Sequence, residues 1–432
     1  MGVVSCGTTM LDQGVFNNIG AVTWDTTAKT SGFTAVSGNG YFVNTTSASI
    51  TVTLPSSPSA GDIVGIKDYA NTADTNKIVI GRNGSNIQGT ADDYDIVTEG
   101  GSVLLVYVDG TQGWKVTSAS QANDITNAEY IVATGGTITT CGDYKIHTFT
   151  GPGTFTVCSA GNPSGSDSVD YLVVAGGGGG GANSPSFDGG AGGGGAGGFR
   201  EGYNPGSYTA SPLATTALPV SASSYPITVG GGGAAGAYGP PASDSGDSGS
   251  NSVFSTITST GGGGGGKPES PGGPVGAGLT GGSGGGGGSH DDPGCGGAGG
   301  AGNTPPVSPP QGNPGGNSDG NTSYAGGGGG GATVAGSTTC GSQQGGGPGG
   351  AGATTSISGS PTAYAGGGGG GGNCSPSTGG TGGGGNGGRK PSTAATAGTA
   401  NTGGGGGGSG RFGGATGATG GKGIVIIRYK FQ

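Results

Sequence analysis

The chain has 432 residues, of which 118 are glycine and 24 are proline, together about a third of the total. Only 9% of the residues are charged and the formal net charge is −9. Most disordered chains carry a much higher density of charge, and no Gly-X-Y register of the collagen kind persists. The acidic balance argues against a nucleic-acid partner. No apolar stretch approaches the roughly 20 residues of a membrane-spanning helix, so we expect no membrane insertion.

The sequence contains no recognisable catalytic, cofactor or metal motif. Its six cysteines form no C-x-x-C pair and it has two histidines, His147 and His290, which argues against a zinc site. Cys141 and Cys158 flank a hairpin-like stretch and either face each other or remain free thiols. The stretch GGGGGGKP mimics a phosphate-binding loop, but Pro268 stands where Ser or Thr would bind magnesium. We therefore predict a protein that is not an enzyme and holds no cofactor or metal.

The N-terminal part is predicted to be β structure. Residues 1–20 form an attachment segment, and residues 21–120 contain the runs SITVTLP, DIVGIKDY, NKIVIGRNG and SVLLVYVDGTQGWKV, separated by Gly, Asn and Asp turns. Short strands at this spacing favour a small sandwich or prism. The turn DGTQG at Asp109 predicts a hairpin. No helical periodicity is visible in the sequence.

Residues 121–169 are predicted to be a connector followed by a β-hairpin. The connector is the polar stretch NDITNAE. After it, YKIHTF and TFTVC bracket the turn TGPG, which favours an antiparallel pair of strands.

The remaining chain, residues 170–432, repeats itself. It divides into about seven units, each with a short lead-in, a glycine run, a loop and a looser glycine-rich return. The runs begin near Gly176, Gly230, Gly261, Gly281, Gly326, Gly366 and Gly403. Self-similarity at this scale indicates stacked units that cannot fold alone.

Glycine runs of this length favour neither of the common regular structures. Glycine costs an α-helix about 1 kcal/mol per residue relative to alanine, and a strand of pure glycine has no side chains to pack. A polyproline-II-like helix has three residues per turn and no internal hydrogen bonds, so its backbone groups must bond to neighbouring helices. We predict an all-β protein whose residues 170–432 are packed polyglycine II helices, called rods below. The alternative is a flexible Gly/Ser tail.

Apolar strands stand at both ends of the glycine-rich part. YLVVA opens it and GIVIIRYKF closes it, with the closing strand predicted over residues 424–431. We expect these two strands to pair, which would bring both ends of the domain together.

Rods that alternate in direction would gather the loops that follow the glycine runs at one end. A rigid frame with variable loops is typical of a recognition surface, and aromatic and arginine side chains suit binding anchors. The candidate residues are Asn183, Phe187, Tyr238, Lys267, His290, Asp291, Asp292, Gln343, Gln344, Asn373, Arg411 and Phe412.

These features resemble a known group of viral proteins. VDYLVVAGGGGGG, the recurring glycine runs and the terminal GIVIIRYKF resemble glycine-rich tail-fibre and adhesin proteins of bacteriophages. The stretch VTWDTTAKTSGFTAVSGNGYFVNTT is similar to modules in tail fibres predicted for phages of marine bacteria. The glycine-rich half also resembles the distal adhesins of T-even-like phages, in which a block of polyglycine II helices presents loops to the host receptor. Those adhesins sit on a separate fibre protein, whereas this chain carries its own β domain.

The resemblance implies a function and a setting. It implies a virion tail-fibre adhesin, made in the host cytoplasm and acting outside it, whose loops bind an outer-membrane protein or a glycan of a bacterium. It further implies a homotrimer and contacts with other tail-fibre or baseplate proteins. The alternatives are a structural fibre or decoration protein without receptor contact, and an ice-binding protein, which would need Ala or Thr on a flat face.

Overall fold

The computed structural model describes most of the chain. The described residues are 3–5, 8–12, 15–16, 22–120, 126–183, 189–239, 244–268, 276–289, 296–318, 324–339, 345–375, 377–389, 393–411 and 416–432. Over these ranges the protein is all-β, with 32% strand and no helix, which confirms the predicted fold class. It follows that no described helix has the length and apolar character needed to cross a membrane.

The chain forms two compact units. The first consists of Met1–Tyr130 with Gly161–Asp167, and the second of Ile131–Ala160 with Ser168–Gln432.

The first unit is built from three sheets. Its strands are β1 (Val3–Ser5), β2 (Thr8–Asp12), β3 (Val15–Phe16), β4 (Thr23–Lys29), β5 (Phe33–Thr34), β6 (Asn39–Val43), β7 (Ile50–Thr53), β8 (Ile63–Asp68), β9 (Ile78–Gly81), β10 (Tyr94–Ile96), β11 (Ser102–Asp109), β12 (Gly113–Ala119) and β13 (Thr126–Asn127). The sheet orders are β1-β2-β3, β13-β10-β9-β7-β5 and β12-β11-β8-β6-β4.

Two of these sheets enclose one core, as the sequence predicted, but the chain winds between them. From β4 to β9, consecutive strands alternate between the two five-stranded sheets, and neighbours within a sheet are parallel. The fully buried side chains of Val52, Ile66, Ile80 and Leu105 pack between them. The hairpin predicted at Asp109 is confirmed, because β11 pairs antiparallel with β12.

The second unit contains the remaining strands. They are β14 (Ile131–Thr134), β15 (Thr137–Cys141), β16 (Tyr144–Phe149), β17 (Gly153–Ala160), β18 (Ser168–Val174), β19 (Phe199–Tyr203), β20 (Ala214–Thr216), β21 (Leu218–Pro219), β22 (Ser224–Thr228), β23 (Ser252–Phe254), β24 (Ile257–Ser259), β25 (Ala353–Thr355), β26 (Thr362–Tyr364) and β27 (Ile424–Lys430). One sheet has the order β14-β17-β22-β23-β24, and the larger one β15-β16-β27-β18-β19-β20, with β21 also on β18; β25 and β26 pair separately.

The two apolar strands that bound the glycine-rich part are neighbours, as predicted. β18 and β27 pair antiparallel, with Val174 opposite Ile424 and Asp170 opposite Arg428. Val173 and Val425 on one face join the core between the two large sheets, while Val174 and Ile424 on the other face join a second core. Burial on both faces explains why these strands read as continuous apolar runs.

The predicted hairpin around TGPG is wrong. β16 pairs with β15 and β27, whereas β17 belongs to the other sheet and pairs with β14 and β22. The turn therefore carries the chain from one sheet to the other. Cys141 on β15 and Cys158 on β17 are accordingly separate, exposed free thiols.

The glycine runs are joined to one another by backbone hydrogen bonds with a period of three residues. Rod 176–183 shows the pattern, with N···O distances from 2.8 to 3.1 Å. Its N–H donors at every third position share one acceptor rod: Gly176, Gly179 and Ala182 bond to rod 244–251, Gly177 and Gly180 to rod 416–423, and Gly178 and Gly181 to rod 189–198. Its carbonyls accept from rods 230–238, 261–268 and 403–411. Three bonding directions per turn are what packed polyglycine II helices require.

The register of these bonds gives every rod a direction. Rods that run parallel to 176–183 are called outgoing, and they are 230–238, 261–268, 282–289, 311–318, 334–339, 365–373, 384–389 and 403–411. Rods that run the opposite way are called returning, and they are 189–198, 244–251, 276–280, 296–302, 324–332, 345–352, 377–381, 393–399 and 416–423. Each outgoing rod is followed along the chain by a returning one.

The centre of the block is rod 189–198. Its N–H groups bond to rods 261–268, 324–332 and 403–411, and its carbonyls accept from rods 176–183, 282–289 and 365–373. Rods surrounded in this way consist almost wholly of glycine: rod 176–183 has six glycines in a row, and rod 189–198 has eight glycines together with the fully buried Ala191 and Ala196. A Cβ at Gly180 would lie 2.0 Å from the Gly407 oxygen, and one at Gly178 would lie 2.2 Å from the Gly263 oxygen, so no other residue fits.

Rods at the margin of the block need glycine only on the side that faces inward. In rod 416–423, a Cβ at Gly417 or Gly420 would lie 2.1 or 2.0 Å from a carbonyl oxygen of rod 176–183. Thr416 and Thr419, the residues immediately before these two glycines, are exposed. The Gly-X-X pattern of the returns thus follows from their place in the block.

A polar network surrounds β27 beside the glycine block. Asp170 is 1% exposed and its Oδ1 accepts the Asn204 N–H at 2.6 Å. Burial raises the pKa of this carboxyl to about 6, against the opposing effect of the Asn204 hydrogen bond. Arg428, on the neighbouring strand, lies between the rings of Tyr144 and Tyr208 and donates to the Ser207 carbonyl at 2.8 Å.

Gly180→Ala tests the packing of the rods. The added Cβ would overlap the Gly407 carbonyl at the centre of a hydrogen-bonded lattice, and overpacking of this kind costs about 1–3 kcal/mol or more. Gly231→Ala is the matched control, because a Cβ there meets nothing within 4 Å. We expect urea unfolding to show a large loss of stability for Gly180→Ala and a change within about 1 kcal/mol for Gly231→Ala. Equal losses in the two variants would contradict the packed block.

Asp170→Asn tests the cost of burying the carboxylate. The folded-state pKa of about 6 exceeds the ordinary value of 3.8, so the free energy of unfolding falls as the pH rises through this interval. The amide carries no charge, so at pH 7.5 we expect the variant to be more stable by roughly 1–3 kcal/mol. The gain should vanish below about pH 4.

Thermal unfolding at pH 4 and pH 7.5 measures this difference. Asp247→Asn, at an exposed aspartate of rod 244–251, is the matched control for the same chemical change outside the buried network. A gain that is equal at both pH values would show that the pKa of Asp170 is not its cause.

Candidate functional site

The loop end is the end of the glycine block at which the outgoing rods finish and the returning rods begin. The opposite end carries the strands β23 to β26 and the turns at 303–310 and 332–334. Along the chain, the outgoing rods are joined to the returning rods through residues 184–188, 240–243, 269–275, 290–295, 319–323, 340–344, 374–376, 390–392 and 412–415, of which only Cys374 and Ser375 are among the described residues. The register of the rods therefore brings the last residues of the outgoing rods and the first residues of the returning rods to one end.

One glycine run does not follow the predicted direction. Gly326 and Gly329 bond to Gly371 and Gly368, so rod 324–332 is antiparallel to rod 365–373 and is a returning rod. The residues just after this run, at 332–334, lie at the strand end. The chain then forms the outgoing rod 334–339, which has a single glycine, Gly336, and was not foreseen.

Several predicted site residues lie outside the described residues. They are Phe187, His290, Asp291, Asp292, Gln343, Gln344 and Phe412. Each belongs to a connection whose flanking rods finish and begin at the loop end.

The other predicted residues occupy the last positions of outgoing rods. Asn183 is 1% exposed and donates its Nδ2–H to the Gly410 carbonyl at 3.2 Å, which ties two rods together. Tyr238 is 37% exposed, while Lys267 and Asn373 are half-buried. Asn183 thus shapes the end of the block, and Tyr238 presents a ring to solvent.

Arg411 lies over an aromatic ring that sequence reasoning missed. Its guanidinium carbon is 3.7 Å from the centroid of the Tyr324 ring. Tyr324 begins rod 324–332, has a φ of 49° and accepts the Gly190 N–H through its carbonyl at 2.9 Å. The two residues are far apart in sequence and meet because their rods both end here.

A second arginine lies beside this pair. Arg389 ends rod 384–389 and donates Nη1–H to the Cys374 carbonyl at 3.2 Å. A Cβ at Gly410 would be 2.8 Å from the Arg389 Cα, so the ends of the two rods touch. Arg389 was not predicted, although GGNGGR and GGSGR place the two arginines alike after glycine. We call Tyr324, Asn373, Arg389 and Arg411 the distal cluster.

The described loop end carries side chains of types that are common at binding sites. Arginine and tyrosine are the side chains most enriched at binding hot spots, and arginine offers planar donors to carboxylate and phosphate oxygens. Across the described ranges, no group of three or more His, Cys, Asp or Glu side chains is placed to hold a metal ion.

His147, on β16 of the second unit, does not belong to the loop end, because its side chain is fully buried. Its Nδ1 lies 2.7 Å from the Gly135 carbonyl and its Nε2 lies 3.1 Å from the Tyr429 hydroxyl. Burial lowers the pKa of this imidazole, so Nδ1–H donates to Gly135 and Nε2 accepts from Tyr429.

Comparison with known proteins bears on the glycine-rich part. No curated protein matches the chain. The profile of the glycine-rich domain family matches residues 150–430, well over half of the chain. The match takes in β18, the rods and all of β27. The chain belongs to the glycine-rich domain family.

Proposed function

We propose that the chain is a bacteriophage tail-fibre adhesin whose loop end binds a receptor on the bacterial surface. The observation that carries the proposal is the register of the rods, which brings the ends of all the outgoing rods, joined in sequence to segments of unlike composition, to one end of the block. Binding surfaces are commonly built this way, with variable loops on a uniform frame.

The distal cluster supplies the anchors of this contact. Arg411 and Tyr324 are stacked before any ligand arrives, so little side-chain entropy is lost on binding. Arg389 and Arg411 add positive charge locally to a chain of net charge −9. This arrangement suits acidic groups of a surface glycan or of an outer-membrane protein loop.

The setting in a virion, the contacts with other fibre or baseplate proteins and the homotrimer remain predictions that rest on the resemblance. The mass of the purified chain in solution tests the trimer. A structural fibre or decoration protein is the alternative without receptor contact, and it would bind no cells.

One observation favours the ice-binding alternative. Rods 393–399, 416–423 and 230–238 lie side by side, since Gly398 bonds to Thr419 and Gly420 to Gly233. They expose a series of small side chains: Ala394, Ala397, Thr416, Thr419, Ala234 and Ala237. A thermal-hysteresis measurement on the purified chain decides whether this face acts on ice.

Arg411→Ala tests the loop end. We expect the fluorescently labelled variant to bind at least tenfold more weakly than the parent chain to those strains of a marine bacterial panel that the parent labels, because it loses a stacked charged anchor. Flow cytometry measures the bound label. Lys422→Ala, which removes a cation near β27, is the matched control and should bind like the parent.

Two outcomes would contradict the proposal. One is a parent chain that labels no strain of the panel, and the other is an equal loss of binding in both variants. Unfolding curves for both variants separate a lost contact from a lost fold.

A further inference from the structure

An exposed tryptophan lies on the outer face of a sheet in the first unit. Trp24 on the edge strand β4 is 42% exposed, although β-sheet surfaces that face water usually carry polar residues. The other tryptophan, Trp114, is fully buried in the core of the same unit. Trp24 therefore differs from Trp114 in presenting part of its ring to solvent.

Glycines on two neighbouring strands let this ring rest on the sheet. A Cβ at Gly40 would lie 2.7 Å from both Cδ2 and Cε3 of Trp24, and one at Gly65 would lie 3.4 Å from its Cη2. Gly40 and Gly65 are opposite each other on β6 and β8. The six-membered ring of the indole thus extends from β4 across both strands, close to the backbone.

The ring is also held in place from the side. Phe42 lies 5.0 Å away between ring centroids, tilted by 37°, and Val22 contacts the same glycine positions. Neither side chain is more than partly exposed. The result is a rigid aromatic platform about one ring wide, with low entropic cost for a ligand that stacks on it.

Polar groups border the platform. β4 is the edge strand of its sheet, so backbone N–H and C=O groups on its free side have no strand neighbour among the described strands. Thr26 follows two positions along β4 and is exposed. Donors and acceptors therefore alternate beside a flat apolar ring.

We propose that Trp24 is a carbohydrate-binding platform for a β-linked hexopyranose chain. A hexopyranose with equatorial hydroxyls has a flat C–H face that stacks on an aromatic ring and a rim of hydroxyls that reaches polar groups at its edge. A protein partner would instead be expected to meet a larger, well-packed apolar centre than one exposed ring. This site is separate from the loop end and does not rest on the adhesin proposal.

The test uses the full chain with cellohexaose and chitohexaose as probes. Since Trp114 is buried, acrylamide quenching of tryptophan fluorescence reports on Trp24, and we expect either oligosaccharide to protect it. Isothermal titration calorimetry should show binding that weakens at least tenfold in Trp24→Ala and less in Trp24→Phe. Gly40→Ala should weaken it too, because the methyl group would lift the indole from the sheet.

Tyr69→Ala is the matched control, since it removes another exposed aromatic ring of the first unit. It should leave oligosaccharide binding unchanged. Binding to neither probe at 10 mM, or binding that Trp24→Ala does not weaken, overturns the proposal. So does quenching of Trp24 that falls as the protein concentration rises, because a second copy of the chain would then cover the ring.

Discussion

The structure of the glycine-rich unit depends on sideways hydrogen bonding between backbones that lack Cβ atoms. The N–H groups of residues 176–182 bond in turn to three neighbouring rods. Those rods lie so close that a Cβ added to their inward-facing glycines would overlap carbonyl oxygens of rod 176–183. Collagen places glycine at its crowded axis for the same reason. Here the crowding occurs on all sides of the central rods, which is why rod 176–183 has six consecutive glycines and rod 189–198 has only two alanines among its ten residues.

Such a block cannot stabilise itself rod by rod. Ordering a residue costs about 1–2 kcal/mol, and a hydrogen bond returns only about 0.5–1.5 kcal/mol net. The strands β18 and β27 supply the missing stabilisation, because they are buried on both faces and lead directly into rod 176–183 and out of rod 416–423. Ser252 couples the two parts, accepting the Gly230 N–H and donating to the Val174 carbonyl. The sheets thus hold the first and last rods in register.

The features that could be predicted are those that depend on the amino-acid composition of a short segment. The apolar segments at the two ends of the glycine-rich part predicted the pairing of β18 with β27. The glycine runs predicted rods, because few other structures suit such a sequence. The direction of the run at Gly326 could not be predicted, since rods 311–318 and 334–339 on either side of it contain Pro, Asn, Ser and Thr and carry no long glycine run that would mark them as rods. The hairpin predicted at TGPG was wrong for a related reason. The sequences of two strands that flank a turn are similar whether the strands pair with each other or enter different sheets. Nor does any local signal join Tyr324 to Arg411, which meet only through the lattice.

The same constraint separates the parts of the chain that tolerate change from those that do not. A side chain added inside the block collides with backbone, whereas the rod ends already carry Asn183, Lys267, Arg389 and Arg411, where the lattice stops. The packing requirement on side chains therefore applies inside the block, and it ends where the described rods end. Side chains at the rod ends can therefore be replaced during evolution without a change in the packing of the rods. A fold made this way would suit the receptor-binding surface proposed above, because side chains at the rod ends can change while the backbone hydrogen bonds between the rods stay the same.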